Sequence, residues 1–356
     1  MAGTSLDDPR VYEGLDPQRL RDRIAALPDQ IEEAWSAARD LPLPEQYTGS
    51  NGVAVLGMGG SGIGGALLQA LALALNAPAP VTVVRGYRLP AHVSPGTLVI
   101  ASSNSGDTEE TVSAFGEALA RDARCIAITA GGRMAAMARE AGVPLLHVRW
   151  AHEPRAALGW SFASLLAICG RVGLLPDQRA ALTQVLASLR ARADRLGVEV
   201  PEPANEAKQL ARRLHGRLPV VIGAEAMAPV AYRWRTQINE NAKSWALSDE
   251  LPELSHNAQA GFGLPQRVVP LLHAVLLRHA AMHPRNALRV DATADELRRS
   301  GVSVEIVQVD GDGVLAQMLH AVLLGDFASY YLGLLNGVQP SPVEPLVRLK
   351  AWLAER

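Results

Sequence analysis

The sequence predicts an α/β fold of two units, each a parallel sheet flanked by helices. Three observations predict it. Short, continuous apolar runs alternate with helical patterns in both halves of the chain, as expected of strands buried on both faces. Segments rich in glycine or hydroxyl residues join strand to helix at Gly57–Gly65 and Ser102–Thr111. A length of 356 residues suits two domains, each with its own core.

Residues 15–40 read as a helical lead-in, with Leu20, Ile24, Leu27, Ile31 and Trp35 at helical spacing and Pro28 as the point where it splits. After a proline-bearing loop, Val53–Leu56 is a short strand, followed by the glycine loop and an apolar helix to Ala74. Strands follow at Val81–Val84, Thr97–Ala101, Cys125–Thr129 and Leu145–Val148, with helices ending near Arg121 and Ala141, so the first sheet has five strands. Past Pro154 come two helical stretches, 155–172 and 176–196. Val198–Asn205, with Pro201 and Pro203 among acidic residues, reads as a linker. Alternation then resumes with a strand at Val220–Gly223, a helix through Lys243, a strand at Val268–Leu272, a helix at Ala294–Ser300, a strand at Val302–Val309 and a helix at Leu315–Leu335. The expected domains are residues 1–152 and 153–356.

Apolar residues make up 48% of the chain and charged ones 20%, with a formal net charge of -2. That balance gives nucleic acid or an anionic membrane no electrostatic hold as a main partner. Cys125 and Cys169 sit in apolar runs and read as reduced, buried thiols. The nine histidines show no metal-ligand spacing with cysteine, so no metal is expected. The N-terminal segment carries Asp7, Asp8 and Glu13 without an apolar signal region, and the apolar stretch 66–79 is too short to span a bilayer. A cytoplasmic protein is expected.

Gly57-Met58-Gly59-Gly60-Ser61-Gly62 has the spacing of a dinucleotide fingerprint after a strand. That reading needs an acid at the end of the next strand, where the chain has Val83-Val84-Arg85; an arginine there suits a 2′-phosphate, which leaves an NADP-dependent oxidoreductase open. Tight packing of strand on helix, or close approach of backbone N–H groups and the Ser61 hydroxyl to a phosphate, are the other readings. The second loop is more specific. Ser103, Ser105 and Thr108 precede a helix, as donors to a phosphate at a helix N-terminus would. A capping box of Asp107 and Glu110 would account for two of its residues and leave the hydroxyls unexplained.

The pair of loops resembles the sugar isomerase (SIS) domain, whose S-x-S-G-x-T-x-E-T phosphate motif matches Ser103-Asn104-Ser105-Gly106-Asp107-Thr108-Glu109-Glu110-Thr111. The resemblance implies two SIS-type α-β-α sandwich domains, the first built on five parallel strands. Such a module senses a phosphosugar or isomerises one. Aldose–ketose isomerisation moves a proton between C1 and C2 through a cis-enediol, and needs a base, a ring-opening group and a cation for the oxyanion. Glu240 lies between Asn239 and Asn241 at a helix end, where composition alone reads it as an exposed helix residue. His256 lies in the loop Pro252–Asn257, and Arg155 at a helix start, against the macrodipole.

Taken in order, the two loops, Pro154–Gly159, Asn239–Asn241, Leu254–Asn257 and a C-terminal helix at Leu346–Leu353 resemble the bifunctional phosphoglucose/phosphomannose isomerase family across nearly the whole chain. That resemblance implies Glu240 as base, His256 as ring-opening group, Arg155 steadying the enediolate and Lys350 lining the site. It places Gly59, Gly60, Ser61, Ser103, Ser105 and Thr108 on the phosphate and sugar. It further implies interconversion of glucose 6-phosphate and fructose 6-phosphate, action on mannose 6-phosphate, no metal or cofactor, and a homodimer whose histidine comes from the neighbouring chain. Ser341 is the nearest match to a hydroxyl linked in the family to mannose 6-phosphate. The chain departs from the family at Asn104, where an aromatic is common, and at Ala258, where an acid often follows the asparagine. A non-catalytic SIS protein that senses a phosphosugar is the alternative.

Overall fold

A computed structural model describes residues 4–356. The lead-in is α1 (Pro9–Leu15), α2 (Leu20–Ala25) and α3 (Leu27–Asp40), with Pro28 in the first turn of α3. A proline is harmless there because the first-turn N–H has no intrahelical partner. The first sheet region runs β1 (Val53–Leu56), α4 (Gly59–Ala74), β2 (Val81–Val84), β3 (Leu98–Ser102), α5 (Glu109–Ala120), β4 (Arg124–Thr129), α6 (Gly132–Glu140) and β5 (Leu145–His147), followed by α7 (Leu158–Arg171) and α8 (Arg179–Leu196). All five strands pair in parallel, in the order β2-β1-β3-β4-β5. β1 and β3 are buried along their whole length, which is why they read as unbroken apolar runs. Val99, Ala101, Phe115, Cys125 and Met134 form the core on one face.

The second region contains α9 (Glu206–Leu214), β6 (Leu218–Ala224), α10 (Ala228–Asn241), β7 (Leu247–Leu251), β8 (Leu272–His279), α11 (Pro284–Arg299), β9 (Ser303–Val309), α12 (Gly313–Leu335) and α13 (Glu344–Ala354). Its four parallel strands are ordered β7-β6-β8-β9. Ile222, Leu276, Val290 and Ala294 lie in its core.

The sequence reading misses one strand of this sheet and misplaces the start of another. β7, with the sequence Leu-Ser-Asp-Glu-Leu, is an edge strand whose polar residues gave no apolar run. The apolar stretch 268–272 is mostly a 3₁₀ turn around Pro270, which has no N–H for a ladder, and the strand begins only at Leu272. α11 also begins earlier than the expected Ala294, where the His283 side chain accepts from the Arg285 N–H and Pro284 opens the first turn.

The chain divides elsewhere than at 152/153. One compact unit comprises Ala26–Arg190 with Gly311–Met318; the other comprises the segment up to Ala25, Ala191–Asp310 and Leu319–Arg356. α7 belongs with the first sheet because it is apolar almost all round, with Trp160, Phe162, Leu165 and Leu166 buried, and it packs on α3 and α4. The N-terminal segment belongs with the second. The buried Lys208 ammonium donates to the Leu6 carbonyl at 2.8 Å and to Asp7 at 3.0 Å, and the Tyr330 hydroxyl donates to Asp16 at 2.9 Å. The expected linker 198–205 is built into the same unit. Asn205 is fully buried, caps α9 with its side-chain oxygen, and donates to the carbonyls of Leu196 and Gly197.

Candidate active site

In the five-stranded sheet the chain passes from β1 outward to β2 and then returns to β3 on the other side of β1. Such a reversal opens a crevice beyond the carboxyl ends of β1 and β3, the usual ligand position of an open α/β sheet. The glycine loop leaves β1 there and the hydroxyl loop leaves β3. The helices that follow, α4 and α5, have Met58 and Thr108 at their N-cap positions, and neither residue caps its helix with a side chain. The first-turn N–H groups of both helices therefore remain available to an anion, at the positive ends of two dipoles.

The hydroxyl loop is fixed from within. The Gly106 N–H donates to Ser103 Oγ at 3.1 Å, and Ser103 Oγ and Thr108 Oγ1 lie 2.9 Å apart. These two hydroxyls carry two protons and use one between them, so one is left for an outside acceptor. Ser105 Oγ accepts from the Asp107 N–H at 3.3 Å, which leaves its proton too. Gly106 has φ +76°, and a Cβ there would lie 1.8 Å from the Gly131 carbonyl oxygen, so only glycine makes this turn. Asp107 and Glu110 do not form a capping box. The Asp107 carboxylate accepts from the Arg133 N–H at 2.9 Å, at the start of α6, and does not cap α5.

Gly60 brings the glycine loop against the turn that carries Arg155. A Cβ on Gly60 would lie 2.7 Å from the Pro154 carbonyl oxygen and 3.3 Å from Arg155 Cα. Arg155 is buried, in a 3₁₀ turn at Pro154–Ala156 rather than at the start of α7, and belongs to the phosphate-loop unit rather than to the second domain. Ser61, Ser102, Asn104, Pro154, Trp160 and Ser161 line a small cavity beside it. Asn104 Oδ1 and Trp160 Nε1 are buried in this region without a hydrogen-bond partner, an acceptor and a donor suited to a polar guest. Trp160 gave no sequence signal because, like Phe162, it reads as one more core residue of a largely apolar helix. Arg85 donates to the Gly62 carbonyl at 3.2 Å, tying the end of β2 to the start of α4.

The other unit carries Glu240, His256 and Lys350. Glu240 is the penultimate residue of α10 and half-buried. Lys243 donates to the Glu240 carbonyl and, at 2.8 Å, to the Pro340 carbonyl, which holds the segment before α13 to this end of α10. Ser341 next to it is buried and accepts from Arg23 at 3.1 Å. Lys350 is exposed on α13. His256 is exposed at the end of a 3₁₀ turn, Glu253–His256, just beyond β7. α10 returns antiparallel to β6, so Glu240 lies at the edge where the strands start, whereas His256 lies past the edge where they end. The five residues of β7 at roughly 3.3 Å each separate those edges. Within one chain this sheet keeps Glu240 and His256 apart. Among the described residues no group of three His, Cys, Asp or Glu side chains is arranged to hold a metal ion.

Residues 203–353 match the family model described as the bacterial phospho-glucose isomerase C-terminal SIS domain. The bifunctional phosphoglucose/phosphomannose isomerase of Caldicellulosiruptor bescii is 39% identical, over 92% of this chain and 97% of that protein. The enzyme of the same name from Aquifex aeolicus is 33% identical, over 87% of this chain and 93% of its own length. A solved glucose-6-phosphate isomerase like protein from Thermus thermophilus has the same fold, with a TM-score of 0.62 at 24% identity over 97% of this chain and 98% of that one. With two parallel sheets, both phosphate-type loops and relatives matched over nearly their full length, the chain belongs to the bifunctional phosphoglucose/phosphomannose isomerase family.

Proposed function

We propose that this isomerase interconverts glucose 6-phosphate and fructose 6-phosphate, and also acts on mannose 6-phosphate, through a cis-enediol. The observation that carries this reading is the pair of uncapped helix N-termini beside the β1/β3 crevice, with hydroxyl protons from the Ser103–Thr108 pair and Ser105 to spare. A phosphate dianion fits that cradle, with Gly59, Gly60 and Ser61 approaching from the other side.

In the chemistry we propose, His256 moves the O1 proton to the ring oxygen as the ring opens. Glu240 then takes the C2 proton of the open-chain aldose, and the charge that develops on O1 is met by the Arg155 guanidinium, with Lys350 lining the site. Glu240 returns its proton to C1 while the O2 proton passes to O1, which gives the ketose. Every proton is conserved, so the steps call for no oxidant or reductant.

The partner we assign is a second copy of the chain, whose His256 completes the site. Two features support it. Glu240 and His256 sit at opposite edges of one sheet, and α13 leaves Leu346, Val347, Leu349, Trp352 and Leu353 all at least 45% exposed, an apolar face that an 11-residue helix does not keep stable alone. We place the protein in the cytoplasm; α12, long and apolar enough to cross a membrane, is buried throughout.

A coupled assay of fructose 6-phosphate conversion tests the reading. The wild type is expected to turn over and Glu240→Gln to lose at least 10³-fold in kcat, on the order of a missing general base. Phosphosugar binding by the wild type with no turnover would make the protein a sensor. Wild-type turnover by Glu240→Gln would remove Glu240 as the base.

A further inference from the structure

The face of α10 that packs on α12 is polar where an apolar stripe would serve. Arg233, Gln237 and Asn241 fall at successive four-residue steps on that face, and all three are at most 2% exposed. Opposite them on α12 stand the buried Asp326 and Ser329. Arg233 donates to both Asp326 oxygens, at 2.9 and 2.6 Å, and Gln237 donates to the same carboxylate. Asn241 Nδ2 donates to Ser329 Oγ at 3.0 Å, and that hydroxyl donates to the Asp326 carbonyl at 2.8 Å. The Trp234 indole adds a bond to the Ala321 carbonyl at 2.9 Å.

Such a ladder is a poor way to gain stability. Burial pushes the Asp326 carboxyl above its ordinary range although Arg233 and Gln237 pull it down. Apolar residues of similar volume commonly replace a buried pair without loss. What the ladder supplies is geometry. Apolar side chains tolerate small rotations of one helix on another, whereas a bidentate guanidinium–carboxylate pair fixes one rotation and one register. Glu240 directly precedes the last rung and lies three residues after the middle one. With its carboxylate about 6 Å from the helix axis, a rotation of about 20° would sweep it by about 2 Å.

We infer that Arg233, Gln237, Asn241, Asp326 and Ser329 are positioning residues, which set the rotation of α10 and thereby hold the Glu240 carboxylate for proton transfer. The inference rests on the reading of Glu240 as the base. A misplacement of about 1 Å at a reacting group costs about 10²-fold in rate. The phosphate loops belong to the other compact unit, so substrate affinity is left to them.

The test is the triple variant Arg233→Met, Gln237→Leu and Asp326→Leu, which removes both charges together with the amide that would otherwise lose its acceptor, and keeps side chains of similar size. Its thermal midpoint is expected at or above that of the wild type, its KM for fructose 6-phosphate within about twofold, and its kcat lower by about 10- to 100-fold. A milder pair, Asn241→Leu with Ser329→Ala, is assayed alongside, with a smaller loss in kcat at constant KM expected, and decides the matter should the first variant not fold. Folded ladder variants with wild-type kcat overturn the inference, as does a fall in kcat matched by loss of folded protein. Glu240→Gln separates the two failures. If Glu240→Gln is inactive and the ladder variants are fully active, only the positioning role is wrong; if Glu240→Gln is active, the base assignment is wrong.

Discussion

Ser103 does two jobs that its sequence position alone does not separate. Its oxygen accepts from Gly106 and shapes the loop, and its hydroxyl belongs to the pair that has one proton to spare. Gly106 also donates to the Ser103 carbonyl at 3.2 Å, so the turn keeps one bond when the hydroxyl is removed. Ser103→Ala is therefore expected to keep its fold and to lose a hydrogen bond to a charged group, about 1.5–3 kcal/mol, seen in steady-state kinetics as a roughly 10- to 150-fold rise in KM with kcat little changed. A lowered kcat at constant KM would assign Ser103 to the chemistry instead. The thiols behave oppositely. Cys125 and Cys169 are buried, and burial pushes each thiol up to about 12, so neither carries the reactive thiolate at neutral pH. Thiol titration should find none in the native protein and two in denaturant.

At the scale of elements, the legible part of the chain was the part whose burial is uniform. β1, β3 and β4 show as apolar runs because both sheet faces are covered, and the loops between them show because glycine and hydroxyl residues have few other uses before a helix. β7 did not show, since an edge strand with partly exposed Ser248 and Asp249 carries no apolar run. The sequence also placed Arg155 in the wrong domain, because its neighbour α7 is assigned by tertiary packing and not by order along the chain. Glu240, His256 and Lys350 owed their roles to a family resemblance; nothing in their local sequence distinguishes them from surface residues. The same limit hid the strap that joins α9 to β8 and β9. Glu305 accepts two bonds from Arg213, at 2.7 and 2.6 Å, and faces His273 Nε2 at 3.6 Å. Its partial burial raises the carboxyl, but His273 and Arg213 outweigh that and hold it below the ordinary range. A carboxyl depressed in the folded state stabilises above its unfolded pKa and loses that contribution as pH falls through its folded one. Glu305→Gln is thus expected to cost about 1–2 kcal/mol in urea unfolding at pH 7, a cost that shrinks steadily as pH falls below the ordinary carboxylate range. A difference independent of pH would assign the strap to packing.

For the molecule as a whole, the roles proposed for Glu240 and His256 make a demand on the second sheet that one chain does not meet. The residues we propose as base and ring-opening group lie at opposite edges, so in the proposed homodimer each site draws Glu240 from one copy and His256 from the other. Two inactive variants then become complementary. Glu240→Gln and His256→Ala each spoil every site in their own homodimers. Mixed and allowed to exchange, half of the dimers are heterodimers, in which one site combines both substitutions and the other has neither. Activity should return to about a quarter of the wild-type value in the mixture, with the KM of the wild type, because the restored site is intact. Restoration should also depend on protein concentration and on the time allowed for exchange, since it requires subunits to part and rejoin. If each site took both residues from one chain, every site in the mixture would carry a substitution and no activity would return, whatever the oligomeric state. The shared site would then be wrong even for a stable dimer, and His256 would have to reach Glu240 by a movement of the segment after β7.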